Sequence, residues 1–156
     1  SSDVCSSDLN LNGSGVRVVL LRTGLVFTHR GGALAKLLPI FKLGLGGKIA
    51  GGKQYWSYIS IEDEVRAIDF LLSSDVSGPV NLTTPNPATN AEVTKALGKA
   101  LKRPTLIPVP GFALKIVLGE FSSEITGGVN VIPTVLHNAG FKWHHPTIED
   151  VVSTVV

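Results

Sequence analysis

The apolar residues of this chain fall first into a run and then into faces. Val16-Arg17-Val18-Val19-Leu20-Leu21 is a β-branched and aliphatic stretch that follows Gly13 and Gly15 and stops at Gly24. Such a run predicts a strand buried on both faces, as at the centre of a parallel sheet. After Gly31 and Gly32, Leu34, Leu37, Leu38 and Phe41 recur at helical spacing, and Pro39 is expected to kink that helix. Gly44, Gly46, Gly47, Gly51 and Gly52 mark a long turn region. Tyr55-Trp56-Ser57-Tyr58-Ile59-Ser60-Ile61 alternates as a strand does. Ser60 or Glu62-Asp63 then supplies cap chemistry for a helix over 65–72, with Val65, Ile68, Leu71 and Leu72 on one face.

Gly78-Pro79 separates that helix from a short strand over 80–83, and Thr89 or Asn90 caps a helix running to about Leu101. Positions 93, 96, 97, 100 and 101 give this helix its apolar face. Pro104, Pro108 and Pro110 interrupt the next stretch. Residues 112–118 read as a buried helix, and two short helices are expected over 133–137 and 146–155. Strands alternating with helices, followed by an all-helical end, predict an α/β layer fold with parallel strands. About three strands make a thin sheet that leaves apolar faces uncovered, so the pattern fits part of a larger domain.

Composition narrows the class. Of the 156 residues, 44% are apolar and 17% charged, which excludes a disordered tail or a coiled coil. No apolar run reaches the ~18 residues of a membrane span. The net charge of +2 is too small and scattered to point to nucleic acid. The chain contains no Met, so its natural beginning is expected to lie elsewhere. Residues 1–10 carry no period and no secretory signal, and residues 3–9 look like translated sequencing adapter, so 1–10 is expected to be a non-native or disordered tail. With no targeting signal, cytoplasm is the default location. Cys5, in that tail, is the only cysteine, which leaves no disulfide framework and no cysteine-based metal site.

Three local patterns imitate functional motifs. Gly47-Lys48-Ile49-Ala50-Gly51-Gly52-Lys53-Gln54 approaches a phosphate-binding loop, but Gln54 occupies the hydroxyl position and no helix follows. Gly44-Leu45-Gly46-Gly47 lacks the third glycine of a dinucleotide fingerprint. His144-His145 are adjacent, point to opposite sides of an extended segment and have no acid at ligand spacing in sequence, so they read as surface or packing residues.

Four stretches together carry a family resemblance: Val18-Val19-Leu20-Leu21-Arg22-Thr23-Gly24-Leu25-Val26, the segment from Tyr55 to Val65, Gly78-Pro79-Val80-Asn81-Leu82-Thr83-Thr84-Pro85-Asn86-Pro87, and the segment from Pro108 onward. From about Val16 to its end the chain resembles the C-terminal half of an extended short-chain dehydrogenase/reductase, more narrowly an NAD-dependent epimerase family protein. The resemblance implies an α/β fold with a partial Rossmann-like parallel sheet of about three strands and a C-terminal helical substrate-side region. It divides the chain into residues 11–104, the C-terminal part of the Rossmann-like domain, and residues 105–156, a helical domain of unassigned function.

The resemblance also assigns roles. Thr23, Gly24, Leu25 and Val26 are the cofactor-side candidates, Gly24 either admitting a ring close to backbone or simply ending its strand. Arg22, Trp56 and Tyr58 are the substrate-side candidates. Arg22 is expected to pair with a carboxylate or phosphate. Trp56 either stacks on a flat ring or packs against the C-terminal helices. Trp56 and Ser60 stand where sugar-nucleotide epimerases often carry Arg and His, which weakens the case for a diphosphate ligand. Asp63 reads as a helix-start residue. NAD or NADP is implied for the longer parent, without tight binding by this stretch, and the implied partner is a small-molecule substrate, with no nucleic acid and no membrane. The family's nucleotide fingerprint and its Tyr-x-x-x-Lys pair do not occur here, Tyr55 being followed four on by Ile59 and Tyr58 by Glu62. No catalytic and no metal residue is therefore expected. A non-catalytic binding or regulatory protein of the same fold, like relatives labelled cell-division inhibitors, is the alternative.

Overall fold

The computed structural model describes residues 15–109 and 127–156. The expected tail over 1–10 and helix over 112–118 lie outside them. The first apolar run forms β1, Val19–Thr23, and after Gly24 the chain continues as β2, Leu25–Phe27. Helix α1, Gly32–Lys42, contains Pro39. Two short strands follow, β3 at Tyr55–Trp56 and β4 at Tyr58–Ser60, and lead into α2, Ile61–Ser73. Next come β5 (Gly78–Leu82), β6 (Ala88–Thr89) and α3 (Asn90–Leu101). Near the end lie α4, Thr134–Asn138, and α5, Ile148–Ser153.

The strand expected from the run over 16–21 is β1, and β2, a strand not expected from the pattern, follows it with a different partner. β1 runs parallel to β5, Leu21 opposite Val80, while β2 runs parallel to β4, Val26 opposite Ile59. The chain changes neighbour at Gly24, whose N–H still donates to Leu82 O, whereas that of Leu25 donates to Ser57 O. An antiparallel pair, β3 with β6, was not legible from the sequence. Gly78-Pro79, read as a spacer, belongs to β5 and pairs with Val19 and Leu20.

Side-chain alternation along β2 and β4 splits the core in two, because successive residues of a strand face opposite sides. Phe27 and Tyr58 point into one cluster with Leu34, Leu37 and Phe41 of α1, Val93 and Leu97 of α3, and Val151 and Val152 of α5. Val26 and Ile59 point into the other, with Ala67 and Leu71 of α2, Val80 and Leu82 of β5, Leu136 of α4, and Phe141. Helices therefore cover both faces of the β2–β4 pair.

β1 departs from the expectation of burial on both faces. Leu21 is 44% exposed, and Arg22 and Thr23 are exposed too. The reason is geometric: among the described residues β1 pairs only with β5. The expected face of α2 is corrected as well. Val65 and Leu72 are 58% and 73% exposed, and the buried residues of that helix are Asp63, Glu64, Ala67 and Leu71. Polar groups with partners have displaced apolar ones from the inner face of its first turn.

Local capping follows the sequence closely. The Ser60 side chain accepts from the N–H of Asp63 at the start of α2, and Thr89 with Glu92 forms a reciprocal capping box on α3. A second such box, Thr147 with Asp150, starts α5.

Candidate functional site

The chain changes strand partner at Gly24, beside the expected site. A groove of about 540 Å³ opens at the carboxyl end of β1, lined by Thr23, Gly24, Leu25, Tyr55, Trp56, Ser57, Gly128, Val129 and Val131. Ligands of open α/β sheets bind outside the carboxyl ends of strands, so the position is suited to one. Ser57 fastens the far wall: its hydroxyl donates to Val129 O at 2.5 Å and accepts from the Val131 N–H at 2.8 Å. The residues from 128 to 131 are thereby held across the entrance to β4. Tyr55 and Ser57 fall in the 55–63 junction that the resemblance makes a substrate lip, whereas Gly128, Val129 and Val131 were not singled out for the site, since their meeting with Ser57 depends on contacts 72 and 74 residues apart.

The sequence-selected residues divide between groove and core. Thr23, Gly24 and Leu25 line the groove; Val26 instead packs against the Ile59 cluster. Gly24 has a reason of its own to be glycine. A Cβ there would lie 2.5 Å from Ser57 O and 2.9 Å from the Thr83 methyl, so the close neighbour is this chain's own backbone. Trp56 lines the groove while being only 3% exposed and belonging to the core cluster of α1, α3 and α5. Packing accounts for most of its surface.

Tyr58 does not reach the groove. It is fully buried, its ring stacks on Phe27 at 5.4 Å, and its hydroxyl donates to Asn86 O at 2.8 Å. Burial, reinforced by Glu149, Glu92 and Asp150, pushes its pKa up to about 12 against an opposing hydrogen bond with Thr84. In this structure it is a neutral packing residue. Arg22 is exposed and, among the described residues, forms no ion pair with a carboxylate.

Behind Thr23 stands a residue that the sequence reading passed over. The Thr23 hydroxyl donates to Glu64 Oε1 at 2.9 Å, and Glu64 is 8% exposed. Its second oxygen, Oε2, is buried without a hydrogen-bond partner among the described residues. Burial raises the Glu64 pKa above the ordinary carboxylate value, and the Thr23 hydrogen bond only partly opposes it. Glutamate on a helix normally reads as solvated surface, so only the fold could reveal this carboxyl.

Asp63 does more than start a helix. Its fully buried carboxylate accepts from the backbone N–H groups of His144 and His145 and from Arg66. The His144 ring meets Glu62 at 2.7 Å and the His145 ring meets Ser60 Oγ at 3.1 Å. Acids thus accompany the two histidines, brought from 82 residues away rather than at local spacing. Among the described residues no group of three or more His, Cys, Asp or Glu is arranged to hold a metal ion, and no helix is long and apolar enough to cross a membrane.

Residues 109–155 match a family described as a domain of unknown function, DUF1731. Over 142 residues the chain is 48% identical to an epimerase family protein of Mycobacterium leprae, covering 90% of this chain and 46% of that protein. Among solved structures, the human epimerase family protein SDR39U1 with NADPH superposes with a TM-score of 0.83 at 32% identity, over 90% of this chain and 48% of the human one. A nucleoside-diphosphate sugar epimerase from Corynebacterium glutamicum matches with a TM-score of 0.67 at 27% identity, over 92% of this chain and 27% of that one. The fold is therefore that of Rossmann-like epimerases. The chain is a homologue of the epimerase family proteins, and it spans about half the length of the curated relatives it matches.

Proposed function

We propose that this chain is the substrate-side portion of an NAD(P)-dependent epimerase or oxidoreductase, and that its groove forms one wall of the cleft beside the nicotinamide ring. The observation that carries this reading is the position of Thr23, Gly24 and Leu25, which line an open groove where β1 ends and the chain changes strand partner. The solved human relative that holds NADPH shares this fold at 32% identity, which supports the same reading. The residues present fit such a ring: Leu25, Trp56, Val129 and Val131 offer an apolar wall.

When bound, the cofactor supplies hydride transfer. The chain's own residues do the rest that can be ascribed to this wall. Trp56, Leu25 and Val129 exclude water from the groove, Thr23 presents a hydroxyl, and Ser57 fixes the far side. The dinucleotide fingerprint and proton-transferring Tyr/Lys pair belong, on this reading, to the other half of a longer protein. The same half covers β1, where Leu21 and Leu72 are exposed at an apolar hollow of about 240 Å³ formed with Arg17, Val19, Ile68 and Leu71. Turnover of NADH and NADPH by the purified 156-residue chain is the test. No turnover is expected from the chain alone; oxidation of either nucleotide by it would overturn the proposal.

A further inference from the structure

The hydrogen bonding of Thr23 is set from behind the groove. Its single hydroxyl proton points at Glu64 Oε1, 2.9 Å away, while Thr23 itself is exposed in the groove lining. A hydroxyl has one donor and two acceptor lone pairs. With the donor committed inward, what remains for a ligand is acceptor capacity. Glu64 can receive that proton whether ionised or neutral, because Oε2 is the oxygen left without a partner among the described residues. Glu64 cannot readily turn to solvent, being buried on the inner face of α2 next to Ala67 and Leu71.

We infer that Glu64 is a positioning residue that makes Thr23 a hydrogen-bond acceptor toward the groove, so that this wall selects a neutral ligand group bearing N–H or O–H over an anionic one. The inference rests on the reading of the groove as a ligand wall. Two contributions act in the same direction. An acceptor facing a carboxylate or phosphate oxygen makes no hydrogen bond. A carboxyl behind that acceptor adds repulsion to any anion whenever it is ionised, and burial weakens the screening of that repulsion. The remaining lining, Leu25, Trp56, Val129 and Val131, is apolar and suits the flat face of an uncharged ring. A primary amide or a hydroxyl on a ring meets both demands.

Nicotinamide and nicotinate are suitable probes, since they share ring and size and differ only in amide against carboxylate. Their binding to the full-length protein that carries this chain is followed by NMR shifts of the Thr23 and Gly24 amides and of the Trp56 indole. Nicotinamide is expected to bind at least tenfold more tightly than nicotinate. In Glu64→Gln the new amide can donate to Thr23, freeing its proton for the groove, and the preference should shrink to about twofold or less. Thr23→Val, which removes the hydroxyl and keeps Glu64, should reduce the preference to the part that the Glu64 charge alone maintains, and keeps the test open if E64Q fails to fold. Equal binding of the two probes by the unaltered protein, or a preference unchanged in both folded variants, would overturn the inference while leaving the groove as a ligand site. If neither probe shifts any of the three signals, the groove reading itself falls and takes the inference with it.

Discussion

The buried carboxylate of Asp63 holds the backbone N–H of His144 at 2.9 Å, across 81 residues of sequence. The other carboxylate oxygen takes the His145 N–H at 2.8 Å, and Arg66 completes the set. One side chain thereby ties the start of α2 to the segment that leads into α5. Replacing Asp63 with Ala takes the acceptor from two part-buried backbone donors and the carboxylate from Arg66, which keeps its bond to Lys142 O. Hydrogen bonds to charged groups contribute about 1.5–3 kcal/mol each, and their losses overlap, so a total loss of about 3 kcal/mol is expected. Urea unfolding of Asp63→Ala checks this; an unchanged midpoint would show that the tie contributes nothing.

A second prediction concerns Gly24. A methyl group there meets the carbonyl of Ser57 at 2.5 Å, and that carbonyl is backbone, so β2 or β4 must move. Gly24→Ala should cost on the order of 2 kcal/mol, the usual scale for overpacking at a tight contact. Thermal unfolding reads the loss directly. A variant as stable as the parent would mean that the two strands separate freely at this point.

The third prediction is an alkaline one. Tyr55 is 41% exposed and Tyr58 fully buried, and they are the chain's only tyrosines. With the Tyr58 pKa at about 12 in the folded state and 10.0 for an ordinary phenol, the folded protein holds this proton more tightly than the unfolded chain does. The unfolded state therefore gains as pH rises from about 10 toward 12, and stability should fall across that window. Absorbance titration of a Tyr55→Phe variant should show the Tyr58 phenol still protonated at pH 11 in the folded protein, its phenolate appearing only on unfolding. A Tyr58 phenolate in the folded protein at that pH would contradict the burial of that ring.

The fourth concerns the capping box of α3. Thr89 accepts from the Glu92 N–H, and the Thr89 backbone N–H and hydroxyl both donate to the Glu92 carboxylate. The backbone hydrogen bond is the larger cause of a Glu92 pKa below its ordinary 4.5. Thr89→Ala should cost about 1 kcal/mol at neutral pH. Because the folded pKa is depressed, the carboxylate's part of this stabilisation is present above about pH 4.5 and lost as pH falls below it. The difference between variant and parent, measured by denaturant unfolding, should thus narrow in acid. A constant difference would place the whole effect in the Thr89 hydroxyl.

Local chemistry was the legible part of this fold. Ser60 and Thr89 announce their helices because an N-cap needs only a short side chain and the N–H groups that follow it. The apolar run before Gly24 announced a strand, but not that it would change partners there, since strand pairing is settled by residues more than thirty positions away. The face of α2 was misjudged for a related reason. Periodicity counts Val65 and Leu72 as inward, whereas the fold buries Asp63 against residues 144–145 and Glu64 against Thr23. Of the candidate site, Thr23, Gly24, Leu25 and Trp56 were legible through family resemblance, and Tyr58 was misplaced because an aromatic in an alternating strand gives no sign of which face is wet. Glu64 and residues 128–131 required the fold.

On the proposed reading, the groove beside Gly24 is the nicotinamide-side wall of a larger enzyme. A crystal structure of the full-length protein with NADPH tests it most directly. The nicotinamide ring is expected in van der Waals contact, within about 4 Å, of the backbone from Thr23 to Leu25. A well-ordered NADPH whose ring lies away from that backbone, with the groove filled by another part of the protein, would contradict it.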